Sequence, residues 1–326
     1  MLNSQRIFVE AIRTYCADHG IAVEVRADGW LIVMQKGGKR HLAFGYDLGL
    51  NSAVAHRIAN DKSATADLLA LSGVPCVPHA LFLNPELNAY VPPRGSWQAM
   101  LALLEQYPRG VVVKPNEGTS GKSVFLVSSA PGLELAVNRL FARHANLALS
   151  PYLAIDDEVR VVLLDDAPLL VYSKQRPAVV GDGKRSVLEL ALATLTDHQR
   201  SAVLPGLFAD LDKAALDAIP PEGERRVLSW RHNLETGARP LLIESGETRA
   251  TCVALAVRAA QAVGIRFASI DIVQVEDGWQ VLEVNSGVMM EALGKVHPEL
   301  VQAAYGAALD RLFGAGAPSG GPVSIG

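Results

Sequence analysis

Residues 269 to 287, SIDIVQVEDGWQVLEVNSG, alternate apolar and polar side chains on both sides of Glu276-Asp277-Gly278, a pattern that fits two antiparallel strands rather than a helix. Side chains alternate across a strand, so Ile270, Ile272, Leu282 and Val284 are expected on a buried face and Asp271, Glu283 and Asn285 on the opposite one. A three-residue loop with Gly278 left-handed pairs Val275 with Trp279, Val273 with Val281 and Asp271 with Glu283. Two carboxylates then face each other, which destabilises a hairpin unless a cation removes the conflict. The all-oxygen set Asp271, Glu283 and Asn285 suits Mg²⁺, which favours one or two protein carboxylates together with substrate phosphates. The alternative is a two-residue loop, which slips the register by one and sends Asp271 to the other face.

A second constraint is GVVVKPNEGTSGKSVFLV, residues 110 to 127. Lys114 ends a strand, and Gly118 and Gly121 let backbone amides approach a ligand closely enough to cradle phosphates. Gly121-Lys122-Ser123 has the ending of a Walker loop, but Asn116 stands where that motif requires its first glycine. A Walker loop must also open a helix, whereas Val124 to Val127 follow as a strand. Strand, loop, strand describes a flap. For this stretch alone, a hairpin with a solvated loop is the competing reading.

Helices are expected over residues 5 to 19, from Ser52 as N-cap through Ala59, over 63 to 71, 133 to 144 and 249 to 263. Further strands are expected at 21 to 25, 30 to 34, 159 to 164 and 169 to 173, and a turn-rich connection at 85 to 95. With 326 residues, 49% of them hydrophobic and 20% charged, the chain can bury the cores of two or three subdomains. A net charge of -4 gives no basic field to gather nucleic acid or an anionic membrane, which leaves small molecules as partners. Cys16, Cys76 and Cys252 lack metal-site spacing. The polar start and the lack of a long apolar segment predict a cytoplasmic protein with no membrane partner.

Lys62, the 110 to 127 flap, the turn and strand at 150 to 160, and Glu283-Val284-Asn285 together resemble the ATP-grasp ligases in order and spacing, over about residues 45 to 312. DKSATADLLALSGVPCVP (61 to 78), RPAVVGDGKRSVLEL (176 to 190) and RHNLETG (231 to 237) look most like the cyanophycin synthetase and glutathione synthetase branch. The fold this implies is α/β with α+β subdomains, an ATP-grasp fold with a short N-terminal α/β domain. Its expected parts are that domain at 1 to 60, a lead-in at 61 to 109, a small subdomain with the flap at 110 to 174, a large subdomain with the Mg²⁺ site at 175 to 313, and a disordered tail at 314 to 326.

The resemblance further implies ATP and Mg²⁺ as cofactors. Lys62 and Lys114 would reach the phosphates, with Glu117, Gly118, Ser120, Gly121 and Lys122 in the closing lid. Tyr152 and Leu153 would lie at the adenine, Glu158 (or Asp157) would hold the ribose, and Lys174 or Arg176 would face the nucleotide. Arg160, Arg231 and Asn233 would serve the substrate carboxylate and the transferred phosphoryl group, and Asp271, Glu283 and Asn285 would hold the metal. The implied activity is joining a carboxylate to an amine, on amino acids or short peptides, with a homodimer as an allowed assembly. A nucleotide-binding module without catalysis and a phosphotransferase are the alternatives. Three departures stand out: Ser150 replaces the more usual Glu or Gln before the hinge, the Asp156-Asp157 turn runs one residue long, which leaves the ribose to Glu158 or Asp157, and the region before Lys62 is short.

Overall fold

The computed structural model describes residues 6–84, 97–118, 123–195 and 197–314. The 85 to 95 connection, Ser120, Gly121 and Lys122 of the flap, and nearly all of the tail fall outside them. A helix, Ile7–Asp18, leads into a meander of β1 (Ala22–Arg26), β2 (Leu31–Lys36) and β3 (Lys39–Phe44), in which β2 is central. The third strand was not foreseen, because its run KRHLAF opens on polar residues. Helices Ala53–Asn60 and Lys62–Leu71 follow head to tail, each capped by a side chain: Ser52 Oγ accepts from Ala55 N at 3.1 Å, and Asp61 Oδ1 from Ala64 N at 2.8 Å.

Strands β4 (Ala80–Leu83), β5 (Val111–Pro115), β6 (Phe125–Val127) and β7 (Asn146–Pro151) form an antiparallel sheet in the order β4-β7-β5-β6. The flap is thus a hairpin, with Val111 opposite Val127 and Val113 opposite Phe125. Val111 and Val113 enter a core with Leu133, Val137 and Leu140 of helix Ala130–Phe141, which leaves Val112 and Lys114 on the other face. Helix Trp97–Gln106, which the sequence reading missed, packs on the same core through Met100.

The central sheet combines β8 (Asp157–Leu164), β9 (Ala167–Gln175), β12 (Arg239–Leu242), β13 (Phe267–Val275) and β14 (Gly278–Asn285) in the order β12-β9-β8-β13-β14, every pair antiparallel. Strands β10 (Ala178–Val180) and β11 (Arg225–Val227) pair outside it, beside helices Val187–Thr194 and Asp197–Asp210. Asp165 and Asp166, with φ of 50° and 64°, make the tight turn between β8 and β9. One side of the central sheet packs on helix Glu247–Val263. Val162, Leu164 and Tyr172 join a core shared by Ile7–Asp18 and the last helix, Pro298–Phe313. Arg6, at the N-cap of Ile7–Asp18, makes no side-chain cap; Glu291 supplies one, accepting from Ile7 N at 2.9 Å and Phe8 N at 3.3 Å. Among the described residues no helix is long and apolar enough to cross a membrane.

The β13–β14 hairpin corrects the expected register. Its turn is the two-residue form: Val275 pairs with Gly278, Gln274 with Trp279 and Ile272 with Val281. The slip does not reach Asp271, because a β-bulge between Asp271 and Ile272 leaves Leu282 as the extra residue and restores Asp271 opposite Glu283. Val281 therefore takes the buried place expected for Leu282, and Leu282 and Glu283 both line the opposite face. The energetic pressure is plain: an unbroken slip would bury the Glu283 carboxylate in the apolar layer.

Candidate active site

The two sheets and the N-terminal meander enclose a cleft of about 1590 Å³. Lys62, Lys114, Glu117, Gly118, Tyr152, Leu153, Glu158, Arg160, Lys174, Arg231, Asn233, Asp271, Glu283 and Asn285 all line it. Arg176 and Asp157 are not among the lining residues, so at those two positions Lys174 and Glu158 face the cleft.

Lys62 and Lys114 meet because the helix start and the flap root are sewn together. Asn116, fully buried just beyond β5, accepts from Lys62 N through its carbonyl (3.1 Å) and from Ser63 N through Oδ1 (3.0 Å). Lys62 Nζ donates to the Gly118 carbonyl at 2.7 Å and lies 3.3 Å from Glu283. Asp61→Ala, which removes the cap and the Ser63 hydroxyl's acceptor, is expected to cost about 0.5–2 kcal/mol in urea unfolding. Burial pushes the Lys114 ammonium down to about 8, and the neighbouring Lys62 adds to that while Glu283 and Glu158 oppose it. His79, buried behind the two lysines, is held well below its ordinary value, first by burial and then by Lys114.

Across the central sheet, Tyr172, Arg160, Asp271 and Glu283 stand in one cross-strand row. Arg160 grips Asp271 with two bonds, Nε to Oδ1 and Nη2 to Oδ2, each 2.7 Å. Lys174 Nζ lies 2.9 Å from Asp271 Oδ2 and 2.5 Å from Glu158 Oε1. Burial alone would raise the Asp271 carboxyl; Arg160 and Lys174 overcome it and hold the group well below the carboxylate range. Arg160 is thus spent on Asp271 rather than presenting that edge to a ligand. Asn285 Nδ2 and Ser269 Oγ, at paired positions beside this row, are buried without hydrogen-bond partners.

The third wall is the segment after β11. Arg231 Nη1 donates to both oxygens of Asp210 (3.0 and 3.1 Å), Nη2 donates to the Val124 carbonyl of the flap at 3.2 Å, and the guanidinium sits over the Trp230 ring at 4.7 Å. Asp210 also accepts from Ser229 Oγ and Trp230 Nε1, so one carboxylate fixes three successive residues. No motif announces Asp210, since its partners lie about 20 residues on in an irregular segment. The Asn233 side chain accepts from Glu235 N at 2.8 Å, opening a short 3₁₀ turn that Gly237 ends at φ 103°. His232 packs inward, its Nδ1 donating to the Lys174 carbonyl at 2.8 Å, and burial lowers it to about 4. Trp230 meets Tyr152 edge-on at 5.6 Å.

Residues 215–299, which carry Arg231, Asn233, Asp271, Glu283 and Asn285, match the model of the RimK-like ATP-grasp domain. A tetrahydromethanopterin:alpha-L-glutamate ligase from Methanocaldococcus jannaschii is 37% identical over 68 residues, 21% of this chain and 22% of that protein. A bifunctional glutathione synthetase from Pasteurella multocida superposes with a TM-score of 0.50 and 19% identity, over 91% of this chain and 44% of its own. A D-alanine–D-alanine ligase from Bacillus anthracis gives a TM-score of 0.50 and 15% identity, over 80% and 66%. The chain therefore spans about half to two thirds of these solved structures and a fifth of the curated relative.

Proposed function

From the ATP-grasp fold of this chain, we infer that it is an ADP-forming ligase that joins a carboxylate to an amine through an acyl phosphate, with amino acids or short peptides as substrates. The observation that carries the reading is the convergence of Lys62, Lys114 and the flap with Asp271, Glu283 and Asn285 on one cleft. Cations from the flap strand and an adjoining helix start, facing oxygen donors from the central sheet, are what a triphosphate requires.

The donor chemistry fits Mg²⁺: the carboxylates of Asp271 and Glu283 and the amide oxygen of Asn285 would all be hard oxygen ligands. Glu283 and Asn285 would hold the ion together with Asp271, whose oxygens already carry Arg160 and Lys174. When bound, the ion would offset phosphate charge. The remaining work falls to the protein. Tyr152 and Leu153 would seat the base, with Glu158 near the ribose, and the two lysines would draw charge from the phosphates. The substrate carboxylate oxygen attacks the terminal phosphorus and the bond to ADP breaks; the amine nitrogen then attacks the acyl carbon, loses a proton and expels phosphate. Arg231, held by Asp210 and touching the flap, would follow the transferred group as the lid closes. The reading includes a cytoplasmic setting, where ATP is available.

The test is release of ADP and phosphate with Mg²⁺-ATP against a panel of amino acids and dipeptides, with mass spectrometry of the products. A new amide formed in step with ADP is expected. ADP without an amide would point to phosphoryl transfer, and nucleotide binding without turnover to a binding module. For Asp210→Asn we expect kcat to fall by about ten- to a hundredfold, because misplacing a positioned group by about 1 Å has that effect, with KM for ATP little changed. An unchanged kcat would remove Arg231 from the mechanism.

A further inference from the structure

The cleft continues past Asn285, where its lining changes character. Beyond the oxygen donors its lining includes the aromatic residues Trp30, Phe44 and Tyr46, in and beside the strands of the first sheet, with Met289 and the charged Arg6, Asp47, Glu291 and Lys295 around them. Trp30 is 51% and Phe44 66% exposed, although both lie on the wall of a deep cleft.

Trp30 is nevertheless firmly placed. The Arg6 guanidinium lies over its ring at 4.7 Å and over Tyr46 at 4.1 Å. Arg6 Nη1 donates to the Gly29 carbonyl at 2.9 Å and Nη2 to the Gly45 carbonyl, so the cation is anchored to the backbone on both sides of the indole. Gly45 N donates to the Trp30 carbonyl at 2.9 Å, and Tyr46 OH to Glu291 at 3.1 Å. Gly45 itself has φ of 64°, and a Cβ there would sit 3.4 Å from the ring. Aromatic side chains immobilised before a ligand arrives give contact area at small entropic cost.

We propose that Trp30, Phe44 and Tyr46 form the specificity wall of a substrate subsite that takes the bulky apolar or aromatic side chain of an amino acid or peptide. The proposal rests on the ligase reading only in placing one of the two joined substrates there. On the ligase reading the nucleotide and its charges would lie at the Lys114 end, so this aromatic end is left for the part of a substrate remote from the reacting atoms, where binding energy sets selectivity.

The experiment measures binding by calorimetry of L-phenylalanine, L-tryptophan and their glycine dipeptides against glycine, L-aspartate and L-lysine. The protein is saturated with Mg²⁺ and a non-hydrolysable ATP analogue, and ADP release is measured in parallel. The expected result is preference for the bulky apolar probes, weakened by about ten- to a hundredfold in Trp30→Ala and Phe44→Ala, the loss that burial of one such side chain predicts. Trp30→Phe should recover most of it. Gly45→Ala, which keeps the indole but strains the left-handed backbone that hydrogen-bonds to Trp30, should weaken the same probes and not the ATP analogue. Equal affinity for small or charged probes, or no effect of Trp30→Ala, overturns the proposal. So does a dimer that Trp30→Ala dissociates, which would assign the wall to an interface between copies. Selective binding without ADP release from any pair of substrates would sink the ligase reading and leave the subsite; ADP release indifferent to Trp30 would do the reverse.

Discussion

Lys114→Ala is expected to lower ADP formation by about a hundred- to a thousandfold, the loss seen when one preorganised electrostatic donor is removed from a reacting centre, while thermal stability holds or rises. Stability can rise because the native protein pays to keep this ammonium out of water. An unfolded lysine titrates near 10.5 and this one at about 8, so its unfavourable contribution is fully present below pH 8 and fades as pH climbs between the two values. A bound triphosphate would return the group towards its ordinary value, so nucleotide binding between these limits should take up a proton. Calorimetry at pH 9 in two buffers of different ionisation enthalpy reads that uptake directly, and in Lys114→Met the buffer dependence should vanish. Identical heats in both buffers for the unaltered protein would take Lys114 off the phosphates.

The second large effect is expected at Asp271. Asp271→Ala leaves Arg160 and Lys174 facing each other in the interior without the charge that joins them, a loss of about 3–5 kcal/mol in urea unfolding. The sign with pH follows from the lowered carboxyl: its contribution is fully present above the ordinary carboxylate value of about 3.9 and disappears as pH falls further. Replacing Arg160, Lys174, Asp271 and Glu158 together by apolar residues of similar volume, so that no charge of the network is left unpaired, should recover most of the stability and none of the ADP formation. That split separates holding the sheet from serving the nucleotide. If Asp271→Ala unfolds at the same urea concentration as the unaltered protein, the network does not hold the central sheet together.

Much of this arrangement could be read from local pattern. Alternation over 269 to 287 gave the hairpin, and the valines on both sides of the flap loop excluded a helix after Ser123, because these signals depend on neighbours within a few residues. The turn was misjudged by one residue, since Glu276-Asp277-Gly278 suits either form, and the bulge at Leu282 that cancels the slip is dictated by tertiary burial of Val281 and Val284. The partners of Asp271 were out of reach: Arg160 is 111 residues away, and no periodicity links strands that meet only in the sheet. The same holds for Asp210 and for the Arg6–Trp30 stack, each made of ordinary residues whose meaning comes from what they touch. Of the fourteen cleft residues anticipated as ligands, what the pattern could not convey is that several are already bound to one another.

The cap that Glu291 places on helix Ile7–Asp18 spans 284 residues of chain, and that helix shares its apolar core with Pro298–Phe313. During synthesis this helix therefore stays without that cap until translation has passed the β13–β14 hairpin and reached Glu291. Until then Phe8, Ile12 and Tyr15 have no complete surface to pack on, and the meander bearing Trp30 lacks its support. A nascent chain interrupted before Glu291 would therefore carry this helix with its apolar face exposed for chaperones to shield.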